Sequence, residues 1–316
     1  MGNTGKIRTL STVSTNRQMN SVRTRLHKLL LCPRELWIVY VLKVLESLSY
    51  FSASLNLTPY LTECFGYTDL QAGAVYSAWG IIAGIIAFAC SPAIDKLGVR
   101  PSLIWGGVFL TCGRILFAAA TTPSQLYASL FVLQPIGMAL AIPVLSIAIR
   151  RITNDETVTT AFGVFYSLMN LGALISGLGT DVIRGWLGYG SASLRTTYWL
   201  GAAISVVYTV VAYVAFRPLP APDAESAVPS TWRSFCTAEA RETIRDAAFW
   251  PLVAFSGIIF GAKSVFRHVD TTLPKWMERE IGAKAAYGTI YSINPAIIIV
   301  AVPVAQVCAR AHTAWR

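Results

Sequence analysis

Eight apolar runs, each long enough to cross a bilayer, divide most of this chain. They fall at about 36–61, 70–91, 102–120, 125–149, 158–180, 196–216, 248–266 and 285–307. A spanning helix needs roughly 20 residues at a rise of about 1.5 Å each. Inside lipid no water satisfies the backbone, so such runs must form helices. The expected fold is therefore all-α, a polytopic membrane bundle of about eight transmembrane helices. Composition agrees, since 54% of the 316 residues are hydrophobic and only 13% are charged. Soluble domains carry roughly 25% charged residues. Disorder and a disulfide-built secreted scaffold are excluded by the same balance.

The net charge is +10. In a soluble chain this would point to nucleic acid. Here the basic residues sit between apolar runs and read as the positive-inside bias of membrane loops, so no nucleic-acid partner is expected. With the N-terminus inside, cytoplasmic segments hold 17 Lys and Arg and outside segments six, with Lys43, Arg114 and Lys263 inside spans. An even number of spans puts both termini in the cytoplasm. The six cysteines form no C-x-x-C pair, and Cys90, Cys112 and Cys308 lie in or beside apolar runs. They read as buried small hydrophobes, neither metal ligands nor a disulfide frame.

The domain plan follows from spacing. Residues 1–35 form a basic polar tail, and 36–216 hold six close-set spans. Residues 217–247, with Pro218, Pro220, Pro222 and Pro229, form a cytoplasmic linker in which 239–246 is a candidate surface helix. Two more spans occupy 248–307, and 308–316 is a short C-terminal tail. Six spans, a longer loop and further spans is the layout of a two-lobed transporter. The basic tail also fits an organelle-targeting segment, although no cleavage-like site follows it.

Charges inside spans are costly, about 2.5–3.5 kcal/mol each at a helix centre. Lys43 and Glu46 lie three residues apart on one face of the first span, with Tyr50 four further on. Intramembrane charges usually line pathways, so Glu46 is the candidate for taking up a proton or contacting solute, tuned by Lys43. The alternative is an ion pair that fixes helix packing. Arg114, Lys263 and Arg267 are expected to snorkel outward, and His268 and Asp270 to sit at the water interface. Tyr76, Trp79, Tyr166 and Asn294 are candidate cavity residues. Gly80 and Gly84 form a G-x-x-x-G, and Ala173 and Gly177 a second small pair, both expected to pack helices closely. Pro135, Pro143, Pro295 and Pro303 can bend their helices. Asn56-Leu57-Thr58 fits a glycosylation pattern but lies inside a span, where it is expected to stay unused. No metallopeptidase, nucleophile-elbow or phosphate-loop motif is present, so no cofactor, metal or enzymatic activity is expected.

The loop between the second and third spans reads Asp95-Lys96-Leu97-Gly98-Val99-Arg100. It resembles the major facilitator signature at the same place, with Ser91 where that signature has a leading glycine. Three further stretches resemble the proton-dependent oligopeptide transporter branch. They are Glu46-Ser47-Leu48-Ser49-Tyr50-Phe51-Ser52, Phe162 to Leu174 with Tyr166, Asn170 and Gly172 in register, and Tyr291-Ser292-Ile293-Asn294-Pro295. The chain departs from that branch at three charged positions. Lys43 stands for a Glu, Ser47 for an Arg, and Ile142 for a Lys before Pro143.

This resemblance implies a major facilitator bundle that moves a small polar or organic solute by alternating access in a lipid bilayer, with protons as candidate coupling ions. It implies that Lys43, Glu46, Tyr50, Tyr76, Tyr166, Asn170 and Asn294 line the pathway and that Asp95, Lys96, Gly98 and Arg100 form an inner gate. The family has twelve spans, so the sequence reads as truncated after the eighth. A partner chain would then supply the missing wall, and Asp95 would lack the eleventh helix it should face. A non-transporting sensor or an inactive remnant is the alternative.

Overall fold

The computed structural model describes residues 28–219, 242 and 244–313, with side chains through Val302. The basic tail, most of the linker, the 239–246 surface helix, Cys236 and Cys308 therefore lie largely or wholly outside the described residues. All regular structure among the described residues is helical. The helices are α1 (Arg34–Phe65), α2 (Asp69–Leu97), α3 (Val99–Ala119), α4 (Pro123–Ile152), α5 (Val158–Leu187), α6 (Ser191–Val214), α7 (Phe249–Thr271), α8 (Leu273–Glu280) and α9 (Tyr287–Thr313).

Helices α1 to α7 are long and apolar enough to cross a membrane, and the described apolar stretch of α9, Tyr287–Val302, is shorter. Several helices overrun their apolar cores, because polar residues continue a helix once it is nucleated. Their ends are set by local chemistry. Thr68 caps α2 in a reciprocal box with Gln71, and Thr122 opens α4 in the same way with Gln125. Gly66 closes α1 at φ 69°, and Gly98 turns α2 into α3 at φ 79°, a region that disfavours any side chain. Within α4, Ser129–Leu133 forms one π-turn ahead of Pro135, which has no N–H to give.

Close packing joins the first six helices. A Cβ on Gly137 of α4 would lie 2.7 Å from Leu110 of α3, and one on Gly172 of α5 would lie 2.7 Å from the Ser47 side chain of α1. Gly177 of α5 meets Gly288 and Ser292 of α9, as the Ala173–Gly177 pair predicts. The other small pair behaves differently. Around Gly80 and Gly84 there is nothing within 4 Å, so this face of α2 packs against no helix of the described chain. Spacing on one helix cannot say which face meets a neighbour. The cysteine expectation is also corrected. Cys32, Cys64 and Cys90 are only partly buried and Cys112 is exposed, all four as free thiols.

The outer surface is apolar over long tracts, with Ile81, Ile85 and Phe88 on α2, Val206 and Val210 on α6, and Phe260 on α7 all exposed. No aqueous surface tolerates such a continuous belt. The chain is an integral, multi-pass membrane protein. None of the apolar window of α7 is buried, and this helix touches the bundle only toward its Arg267–Thr271 end.

Candidate functional site

The inward face of α1 carries an unbroken line of polar residues. Lys43 Nζ lies 2.8 Å from Glu46 Oε2, with side chains 6% and 3% exposed. The ammonium sits 5.1 Å from the centre of the Phe165 ring of α5, and the Ser47 hydroxyl donates to the same carboxylate at 3.3 Å. Ser49 donates to the Gly201 carbonyl of α6 at 2.7 Å. Arg114 does not snorkel. It is 6% exposed, and its Nη1 donates to the Ser205 hydroxyl at 2.6 Å. The Glu46 carboxylate also attracts the guanidinium. Its Nε is buried without a hydrogen-bond partner.

One to two turns along α1 a second cluster joins three helices. Asp270 of α7 is fully buried, contrary to an interfacial placement. Its Oδ2 accepts from Ser54 of α1 at 2.9 Å, from Tyr76 of α2 at 3.2 Å and from Arg267 at 2.9 Å. Arg267 reaches inward to donate to the Tyr50 hydroxyl, and its guanidinium lies 5.4 Å from the centre of that ring. The snorkelling expectation for Arg267 fails because Asp270, one turn away, offers a buried counter-charge. Lys263 and His268 are exposed.

A third set closes the end of the bundle. Asp181 of α5 accepts from the backbone N–H groups of Gly288 and Thr289 at the start of α9, at 3.2 and 2.6 Å. Arg184 donates to the Ala283 and Ala285 carbonyls at 2.9 and 2.8 Å and to Glu278 at 3.1 Å. Asn56 of α1, which is buried, links Thr180 of α5 at 3.0 Å and Tyr287 of α9 at 2.8 Å. Helix α8 straps this end. Lys275 pairs with Glu63 at 3.5 Å, Arg279 pairs with Asp69, and Met277 is buried beside Leu55, Ala285 and Tyr287. None of Asp181, Arg184, Glu278 or Asn56 was picked out from sequence for a site. Their one local signal is acid and base at i and i+3, as in Asp181 with Arg184.

The structure thus brings Lys43 to Glu46, and Tyr50 and Tyr76 to Arg267 and Asp270. Trp79 packs on both tyrosines, with ring centres 5.8 Å apart in each case. Asn170 is buried and donates to its own helix at the Tyr166 carbonyl, 2.9 Å away. Tyr166 is 41% exposed and lines a cleft of about 430 Å³ with Phe162 of α5 and Val302 of α9. Asn294 is exposed on α9. The expected loop is reduced to Gly98, since Asp95 and Lys96 lie exposed in the last turn of α2, while Arg100 in the first turn of α3 donates to the Phe216 and Tyr213 carbonyls at 2.8 and 3.0 Å and holds the end of α6.

A helical bundle with a buried polar seam is a common architecture, and comparison with known proteins decides the family. Residues 39–315 match the family model described as Major Facilitator Superfamily. The chain belongs to the Major Facilitator Superfamily. Within this superfamily its likeness is to the peptide-transporter branch. It is 23% identical over 188 residues to dipeptide and tripeptide permease B of Photorhabdus asymbiotica subsp. asymbiotica, covering 58% of this chain and 37% of that protein. It is also 23% identical over 163 residues to dipeptide and tripeptide permease A of Chromobacterium violaceum, covering 51% and 33%. The chain thus spans about a third of the length of these curated relatives. Among solved structures, a peptide transporter POT in complex with sulfate aligns with TM-score 0.65 and 17% identity over 87% of this chain and 68% of that one. A POT family transporter in complex with 5-aminolevulinic acid aligns with TM-score 0.63 and 17% identity, over 86% and 69%. These alignments establish a shared facilitator fold.

Proposed function

We propose that this chain belongs to a secondary transporter that moves a small polar or organic solute across a membrane by alternating access, coupled to protons. The observation that carries this reading is the Lys43–Glu46 pair, two charges fully inside a lipid-embedded bundle at 2.8 Å. A buried pair is a poor stabiliser, because desolvation of both ions offsets their attraction. Its burial fits a carboxylate that cycles between charged and neutral forms. Glu46 is the protonated group, and Lys43 neutralises it when the proton leaves. Tyr50, Tyr76, Tyr166, Asn170 and Asn294 complete the pathway.

In this reading both termini and residues 217–247 face the cytoplasm. Residues 36–216 form one six-helix lobe, and 248–307 begin the second. Asp95, Lys96, Gly98 and Arg100 form the inner gate. The hold of Arg100 on the end of α6 supports this, since it couples the loop to the lobe as a rigid unit.

The test is uptake into proteoliposomes under an imposed pH gradient, with dipeptides, amino acids, organic acids and amines as candidate solutes. Gradient-driven uptake that Glu46→Gln abolishes, while solute exchange at equal pH survives, is the expected outcome. Uptake of the same solutes that is indifferent to the gradient would overturn the proton-coupled reading.

A further inference from the structure

Around Asp270 the polar accounting does not close. Asp270 Oδ2 accepts three hydrogen bonds, yet Oδ1 is buried with no partner. Trp79 Nε1 and the Tyr291 hydroxyl are also buried and unpartnered. All three belong to one neighbourhood. Trp79 packs on Tyr50 and Tyr76, and Tyr291 is buried in a cluster with Leu55, against which Phe51 and Val269, the chain neighbours of Tyr50 and Asp270, pack. A buried polar atom without a partner costs about 1–3 kcal/mol, so three in one place call for an explanation.

Arg267 is the loosest member of the cluster. Its partner Asp270 is 0% exposed, but the Arg267 side chain is 46% exposed. It can swing into water without leaving its own charge buried. It stacks on Tyr50 and pairs with Asp270 as a bound organic cation would.

We propose that Asp270, with the aromatic walls Tyr50, Tyr76, Trp79 and Tyr291, is a binding site for a small organic ammonium, and that Arg267 is its displaceable internal occupant. The incoming ammonium donates to Asp270 Oδ1 and takes over neutralisation of the carboxylate. One cation replaces another, so the buried charge stays balanced. The Trp79 N–H and Tyr291 O–H are then left to donate to an oxygen on the same solute. A neutral oxygen fits, because a carboxylate would add an uncompensated buried charge. The chemical class is an amino alcohol or a similar small amine with a neighbouring hydroxyl or carbonyl.

The exchange has a mechanical consequence. The bonds from Arg267 to Tyr50, Tyr76 and Ser54 tie α7 to α1 and α2. A ligand that frees Arg267 loosens α7 from the six-helix lobe. Its affinity difference between the tied and untied forms drives that shift. This consequence deepens the transport reading and rests on it, whereas binding does not.

The test is calorimetric titration of the purified full chain in detergent with ethanolamine, and with acetate, glycine and ethylene glycol as controls. Saturable ethanolamine binding, weaker by about tenfold in Asp270→Asn and tighter by about tenfold in Arg267→Gln, is expected, because removing the tethered competitor raises the fraction of open sites. Arginine modification by phenylglyoxal, read by mass spectrometry on the unaltered chain, gives a second readout. Arg267 should react faster when ethanolamine is present. Absence of ethanolamine binding, equal affinity in all three proteins, tighter binding of acetate or glycine, or protection of Arg267 would each overturn the proposal. Failure of gradient-driven uptake with this binding intact would instead count against the transport reading.

Discussion

The Arg184 guanidinium on α5 lies 4.1 Å from the centre of the Tyr287 ring at the start of α9. It also bonds two backbone carbonyls and Glu278 there, while Asp181 one turn earlier caps α9. One turn of one helix therefore grips the beginning of another 100 residues away, at the level where Gly177 and Gly288 touch backbone to backbone.

Removal of Arg184 should cost the most stability of any single change at this joint. The side chain is 4% exposed, and its loss leaves Asp181 without its cation, while Glu278 keeps Lys275 at 3.2 Å. Breaking a buried pair costs about 3–5 kcal/mol. Thermal unfolding of Arg184→Ala in detergent should show a clear drop in Tm, larger than that of Arg279→Ala, whose guanidinium is mostly exposed. Equal Tm values would mean that the joint contributes little.

Glycines separate packed from open helix faces. Gly172→Ala places a methyl against Ser47 and should destabilise by about 1–3 kcal/mol. Gly80→Ala and Gly84→Ala meet open space and should be neutral or slightly stabilising, since alanine gains about 1 kcal/mol in helix propensity over glycine. A melting series in one detergent compares all three. Destabilisation by Gly80→Ala as large as that by Gly172→Ala would contradict the packing described.

Lys43 and Glu46 should show strong coupling in a double-mutant cycle. Lys43→Met alone leaves the buried Glu46 carboxylate with only the more distant attraction of Arg114, and Glu46→Gln alone strands an ammonium. The double variant removes both charges and should recover most of the lost stability, with an interaction energy of about 2–3 kcal/mol. Additive losses in denaturation would show that the two charges are independently solvated.

The α8 strap should open before the bundle does. Its ion pairs to Glu63 and Asp69 involve partly exposed groups, each worth about 1 kcal/mol or less. Met277→Cys should react slowly with a water-soluble maleimide, because Met277 is 2% exposed. Adding Lys275→Glu and Arg279→Glu should raise that labelling rate by about tenfold while the helix signal in circular dichroism stays unchanged. Fast labelling of Met277→Cys alone would mean the strap is not closed.

What the sequence determined is local or periodic. An apolar run of 20 residues has no alternative to a helix in lipid, so the spans are legible, although the helices run on past the expected ends, to Leu97, Leu187 and Thr313. Lys43 and Glu46 pair because an i, i+3 spacing brings them together on any helix. Gly98 turns the chain at a positive φ that a side chain disfavours. Tertiary structure alone decided what depends on which helix stands beside which. Arg114 turns inward because Ser205 of α6 receives it, 91 residues away. Asp270 is buried against Ser54 and Tyr76, and Arg267 turns in to Tyr50, about 200 residues earlier in the chain. Gly80 and Gly84 stay open because no described helix covers that face of α2. A span's sequence records that it is apolar and where its charges lie, but every face of a lipid-embedded helix is apolar enough to be either inside or outside. Only packing breaks that degeneracy.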